Sequence, residues 1–123
     1  MKLTEVCQIL GAEVLTGEDL LEQVEALSAC GADLMSDVLA FTKERTLLLT
    51  GLTNPQVVRT AELVDLCGLV FVRGKRPPAE VVDMAKERRL PVLLTSYPLY
   101  ETCGLLYSGG LAGCQGQVGR ERR

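Results

Sequence analysis

From Thr46 onward the chain switches repeatedly between short apolar runs and longer stretches with apolar side chains at helical spacing. Thr46–Thr50 is branched or apolar throughout, with no polar alternation, as in a parallel strand covered on both faces. Asn54-Pro55 then predicts a helix start, with Asn as the N-cap and Pro at the first helical position. That helix carries Val57, Val58, Ala61, Leu63 and Val64 and is expected to end near Cys67-Gly68. Leu69–Val72 is the next buried strand. Pro77-Pro78 opens a helix with Val81, Val82, Met84 and Ala85 inward and Lys86, Glu87 and Arg88 outward, closed by Leu90-Pro91. Val92–Thr95 is a third strand, and a last helix spans Pro98 to Tyr107. Strands recurring every ~23 residues with helices between them predict a parallel sheet with right-handed crossovers.

The N-terminal 45 residues are less regular. Val6, Ile9 and Leu10 share a face of a short helix over Thr4–Leu10, with Thr4 as N-cap and Gly11 as its stop. Glu13–Gly17 reads as a brief strand and Glu18–Leu21 as an acidic connector. Val24–Ala29 alternates as a second strand that Gly31 breaks. Asp33 is expected to cap a helix over Leu34–Thr42, with Leu34, Met35, Val38, Leu39 and Phe41 mostly inward. Asp37 lies one turn beyond Asp33, but capping accounts for Asp33 without a paired-acid role. The whole predicts one α/β domain, three-layer-like with a mostly parallel sheet, over residues 1–111. Gly113, Gly116, Gly119 and the closing arginines make 112–123 a flexible tail.

Composition narrows the function. The chain has 123 residues, 47% of them hydrophobic, enough for one core and too few for two. No apolar run approaches the ~20 residues of a membrane span, and Met1-Lys2-Leu3-Thr4-Glu5 lacks an apolar h-region, so a cytoplasmic protein without a secretory signal is expected. There is no His, which removes the commonest general base and every Ser-His or Cys-His pair. The net charge is −3, with the acidic excess in the first half and a slight basic excess in the second. Without a sustained basic face, and with only three Tyr and two Phe, nucleic-acid binding is not expected. The five cysteines show no C-x-x-C spacing, so no metal or cofactor is expected. Cys7, Cys30 and Cys67 read as small buried hydrophobes in a reducing compartment. Cys103 and Cys114, in Gly-rich sequence, leave a redox pairing open, although a cysteine nucleophile would lack a base.

In an open parallel sheet, ligands bind outside the carboxyl ends of the strands. Three such ends are readable: Thr50, Gly51, Thr53 and Asn54; Arg73, Gly74, Lys75 and Arg76; and Thr95 with Ser96. Together they supply hydroxyls, two helix starts and three positive charges, a set suited to a phosphate or carboxylate. The same residue types also make ordinary helix starts, turns and strand exits. Tyr97, Tyr100 and Tyr107 cluster near the C-terminus, where tyrosine suits either a contact surface or the edge of the core.

The ordered set Leu47–Val58, Leu69–Val82 and Leu90–Thr95 resembles the DRTGG domain family. The second half is also similar to the N-terminal domain of HPr kinase/phosphorylase, which has a strand, a Pro-Pro-Glu helix start and an Ile-Pro-Val-Leu strand in this order. The resemblance covers nearly the whole chain, best from Val38 to Leu106. It implies a non-catalytic accessory or sensory module, commonly a homodimer. Such domains are fused to phosphotransacetylases, CBS-domain pyrophosphatases or P-loop proteins, or stand alone. The strand-end residues extend that expectation to sensing a small anionic ligand such as a nucleotide, and a stand-alone module is expected to be read by a partner protein encoded nearby. A pure protein–protein scaffold is the alternative. No G-x-x-x-x-G-K-S/T phosphate loop is present, so kinase activity is not implied. Where the family's Asp-Arg-Thr would fall stand Leu52-Thr53-Asn54, and at the Gly-Gly stand Arg73-Gly74.

Overall fold

The computed structural model describes residues 1–114. Strands β1 (Glu13–Thr16), β2 (Ser28–Gly31), β3 (Thr46–Thr50), β4 (Gly68–Phe71) and β5 (Val92–Leu94) form one sheet in the order β1-β5-β4-β3-β2. β2 to β5 are parallel, and β1 pairs antiparallel with β5 with a register shift between Val14 and Thr16. The helices are α1 (Leu3–Leu10), α2 (Met35–Phe41), α3 (Pro55–Leu63), α4 (Ala79–Glu87) and α5 (Leu99–Ser108).

The parallel strands follow one another across the sheet, so crossovers of one hand place all connecting helices on one face. There Val38 of α2, Val57, Val58 and Ala61 of α3, and Val81 and Ala85 of α4 bury Leu48, Leu69, Phe71, Val92 and Leu94. On the opposite face Leu3, Val6 and Leu10 of α1 and Leu106 of α5 bury Leu47, Leu49, Val70 and Leu93. The three-layer α/β expectation therefore holds, and β3 is buried at every position.

Local boundaries depart from the sequence reading where tertiary pairing overrides pattern. The second strand is not Val24–Ala29 but Ser28–Gly31. Ser28 and Thr46 start the parallel register and share a 2.8 Å hydroxyl hydrogen bond. Val24–Ala26 instead pairs with the N-terminus, where Leu3 N donates to Val24 O and Ala26 N to Met1 O. Gly31 does not break the strand. A Cβ there would lie 2.7 Å from Cys103 Sγ, so the missing side chain lets α5 approach. α1 is preceded by Lys2 rather than capped by Thr4, whose hydroxyl donates to Glu22 Oε1 at 3.2 Å.

α3 stops at Leu63, earlier than Cys67-Gly68. Asp65 takes a left-handed φ of 55°, and Cys67 N already bonds Thr46 O. On α2 only Met35 and Val38 are buried. Leu34, Leu39 and Phe41 are about half exposed, because α2 covers the β2 end of the sheet along a single stripe. The expected flexible tail starts within ordered pairing: Ala29 N donates to Ala112 O at 2.9 Å, and Cys114 N donates to Ala29 O at 3.2 Å. Residues 115–123 lie outside the described residues.

The two-sided core generates a contrast. Leu48→Ala, at a fully buried position, should cost about 2–5 kcal/mol in urea unfolding. Leu63→Ala, on a side chain 72% exposed, should change stability by less than about 0.5 kcal/mol.

Candidate functional site

Four loops meet at the carboxyl ends of β2 to β5, and hydrogen bonds knit them together. Asp33, between β2 and α2, does not cap its helix; Leu34 occupies that position. Its Oδ1 instead accepts from Thr50 Oγ1 at 2.9 Å and from Gly51 N at 2.8 Å, tying the β2–α2 loop to the β3–α3 loop. Thr50 Oγ1 in turn accepts from Leu52 N at 3.1 Å, so this buried hydroxyl is committed to the loop. Across the crevice, Arg73 N donates to Tyr97 O and Gly74 N to Thr95 O, both at 2.8 Å, joining the β4–α4 loop to the β5–α5 loop. Arg73 and Gly74 both take left-handed φ values, 60° and 64°. For a non-glycine residue that conformation is uncommon and is held here by the pairing to Tyr97.

The crevice centres on Gly51. A Cβ at that position would lie 3.2 Å from Arg73 Nη2, 3.7 Å from Asp33 Oδ1 and 3.8 Å from Asp33 Oδ2. The guanidinium therefore reaches across the β3–α3 loop toward the Asp33 carboxylate. Arg73 and Lys75 are exposed and make no ion pair among the described residues.

The remaining predicted residues divide. Thr53 is half-buried beside Gly51, and Ser96 is exposed at the exit of β5. Asn54 spends its side-chain oxygen on Gln56 N at 3.0 Å, and Pro55 has no N–H, so the first turn of α3 offers less to an anion than its position suggested. Thr95 is buried and donates to Leu10 O at 3.0 Å, anchoring the end of α1. Arg76 turns away to form a two-pronged pair with Glu13 at 3.0 and 2.7 Å. The guanidinium holds the exposed Glu13 carboxyl below the usual carboxylate range. Of the residues expected at the strand ends, Thr53, Arg73, Lys75 and Ser96 stand at the open rim, whereas polar atoms of Asn54, Thr95 and Arg76 are engaged within the chain. Sequence reasoning missed Asp33 as a member; its place two residues after a strand was the available signal.

A separate cavity of about 660 Å³ lies between α5, the end of β2 and the segment after α5. Tyr97, Tyr100, Tyr107, Leu49 and Leu111 line it, and among the described residues Glu101 is the one charged residue in its wall. It meets the crevice at Tyr97. Among the described residues no group of three His, Cys, Asp or Glu side chains is placed to hold a metal ion, and no helix is long and apolar enough to cross a membrane.

This fold agrees with what known proteins show. The DRTGG domain model matches residues 5–108, and the chain belongs to the DRTGG domain family. Among solved structures it is similar to the CBS and DRTGG domains of the regulatory region of Clostridium perfringens pyrophosphatase, complexed with the activator diadenosine tetraphosphate. The TM-score is 0.68 at 16% identity, and the match covers 85% of this chain and 45% of that one. No curated protein matches the sequence.

The clasp around Asp33 is open to test. Asp33→Ala leaves the Thr50 hydroxyl and Gly51 N–H without their acceptor and should cost about 1–3 kcal/mol by denaturant titration. Asp33→Asn keeps an oxygen at the same place and should recover most of that loss. Equal stability of the alanine variant and the parent would show that the clasp contributes nothing.

Proposed function

We propose that this DRTGG domain is a non-catalytic regulatory module that senses a small anionic ligand, of nucleotide type, at the strand-end crevice. The observation that carries this reading is Arg73. It is exposed, held in a left-handed backbone by Tyr97, and extended over Gly51 beside Lys75, with neither cation engaged in an ion pair among the described residues. Asp33 refines the ligand class. A bare phosphate would meet a carboxylate within 4 Å of the Gly51 Cβ position, whereas a nucleotide brings phosphate to the cations and sugar hydroxyls to the carboxylate. The regulatory region of the clostridial pyrophosphatase, in complex with a dinucleotide activator, supports the same reading. With no His in the chain, and with the crevice's carboxylate already accepting two hydrogen bonds, a sensing role in the cytoplasm fits better than catalysis.

The domain acts through association, as a homodimer read by a separate partner protein. Support comes from large side chains left exposed on two helices: Tyr100 (87%) and Tyr107 (74%) on α5, and Leu39 and Phe41 on α2. The α5 surface also favours the second reading, a protein–protein scaffold that needs no ligand.

A ligand binding only the folded state adds RT ln(1 + [L]/Kd), about 2.7 kcal/mol at a hundredfold excess over Kd. Nucleotides should therefore raise the melting temperature, less so at high salt. Arg73→Ala combined with Lys75→Ala should abolish the rise. Arg76→Ala should keep it, since Arg76 is paired with Glu13. A flat thermal-shift response to nucleotides, coenzyme A and small phosphorylated metabolites leaves the scaffold reading.

Association is checked independently. Light scattering at micromolar concentration should give twice the chain mass, and a monomer mass alone would refute the dimer.

A further inference from the structure

We infer that Cys30 and Cys114 are a disulfide-forming pair that fastens the segment after α5 to the outer edge of β2. The two residues are distant in sequence, and backbone pairing brings them together. Ala29 and Gly113 form a parallel bridge, with Ala29 N donating to Ala112 O and Cys114 N donating to Ala29 O. In parallel register the next opposed residues are Cys30 and Cys114, whose side chains leave the pleat on the same face. Neighbouring strands run about 4.8 Å apart, inside the Cα separation of about 4.4–6.8 Å that a disulfide spans. The Cys114 side chain is near enough to raise the Cys30 thiol pKa, and both residues are half-buried rather than sealed.

Strand alternation also settles which partner Cys114 takes. Ala29 and Gly31 face α5, where the Gly31 Cβ position abuts Cys103 Sγ. Cys30, between them, is in register with Leu48, whose side chain lies in the core under α2, α3 and α4, and so points to that opposite face. Gly113 lines the α5-side cavity with Ala29, so Cys114 lies on the Cys30 side. The pairing of Cys103 with Cys114 that the sequence left open is therefore replaced by Cys30 with Cys114.

The chemistry needs a two-electron oxidant, here a low-molecular-weight disulfide. The Cys114 thiolate attacks one sulfur of the small disulfide, breaks its S–S bond and expels one small thiolate, which takes up a proton. Cys30 then gives up its proton and attacks the Cys114 sulfur of the mixed disulfide, forming the internal bond and expelling the second small thiol. Two protein thiols are oxidised and one small disulfide is reduced to two thiols. Burial, with the Cys114 side chain next in effect, pushes the Cys30 thiol up to about 12, so its thiolate is scarce near neutral pH and the second attack is the slower of the two steps. The bond would close most of the chain into one loop and fix Ala112 and Gly113, which form a wall of the tyrosine-lined cavity.

The full chain, reduced and then exposed to glutathione disulfide, should lose two hydrogens by intact mass without retaining glutathione. Peptide mapping should find Cys30 joined to Cys114. The oxidised protein should melt several degrees higher, and a dithiol reductant should reverse the rise. Cys30→Ser should stop at a glutathione adduct on Cys114, while Cys103→Ser should still close the bond. A Cys103–Cys114 link, a link between two chains, or stable glutathione adducts on the unsubstituted protein would overturn the inference. Because mapping of the unsubstituted chain decides it, a variant that fails to fold does not weaken the test.

Discussion

A parallel sheet has to be covered on both faces, yet crossovers of one hand cover only one when the strands follow each other in order. In this chain β2, β3, β4 and β5 do follow in order, so α2, α3 and α4 all fall on the same side. The other side is left to the two ends of the chain. α1 precedes the first strand, and α5 has to return from β5 across the sheet to β3 and β2. Much of the detail follows from that return. Gly31 lacks a side chain because α5 crosses there, Leu111 enters the core after the helix, and Ala112–Cys114 arrive alongside β2. The Thr95 hydroxyl bonds the carbonyl of Leu10, so the end of α1 and the start of the α5 connection are joined at one point.

The regular half of the fold was legible because its signals are local. The unbroken apolar run Thr46–Thr50 and the Asn54-Pro55 cap each report directly on burial and on helix entry, and both are realised. The N-terminal half was less so, because Val24–Ala29 satisfies strand periodicity while its hydrogen bonds go elsewhere. Ala26 pairs with Met1, and Leu27 N bonds Arg45 O. Periodicity reports which face is buried, not which partner takes the backbone, and that is settled by contacts far apart in sequence. The start of the tail shows the same dependence on distant partners: glycines suggest freedom, but Ala112 O accepts from Ala29 N and Cys114 N donates to Ala29 O.

The candidate site was legible as a place and only partly as a set of groups. Strand order puts the right loops together, and the positive residues after β4 were visible. Which of them remains available depends on neighbours that adjacency does not reveal. Arg76 meets Glu13 only because β1 lies antiparallel beside β5, bringing residue 13 to the carboxyl end of the sheet. Asp33 has the residue type of a cap at the position of one, and only the packing of β2 against β3 shows that its carboxylate holds Gly51 and Thr50 instead. The crevice consequently has a mixed lining of two cations and one carboxylate rather than a purely positive one.

The same chain ends that close the second face also guard the rims of the sheet. Unpaired strand edges invite pairing with other molecules, and short, bulged or charged edges resist it. On one side β1 is four residues long, its register slips between Val14 and Thr16, and the Glu13–Arg76 pair stands at its start. On the other, Ala112–Cys114 occupies part of the backbone of β2 that would otherwise face outward. A small domain with both sheet edges guarded in this way resists the strand-to-strand stacking that leads to aggregation.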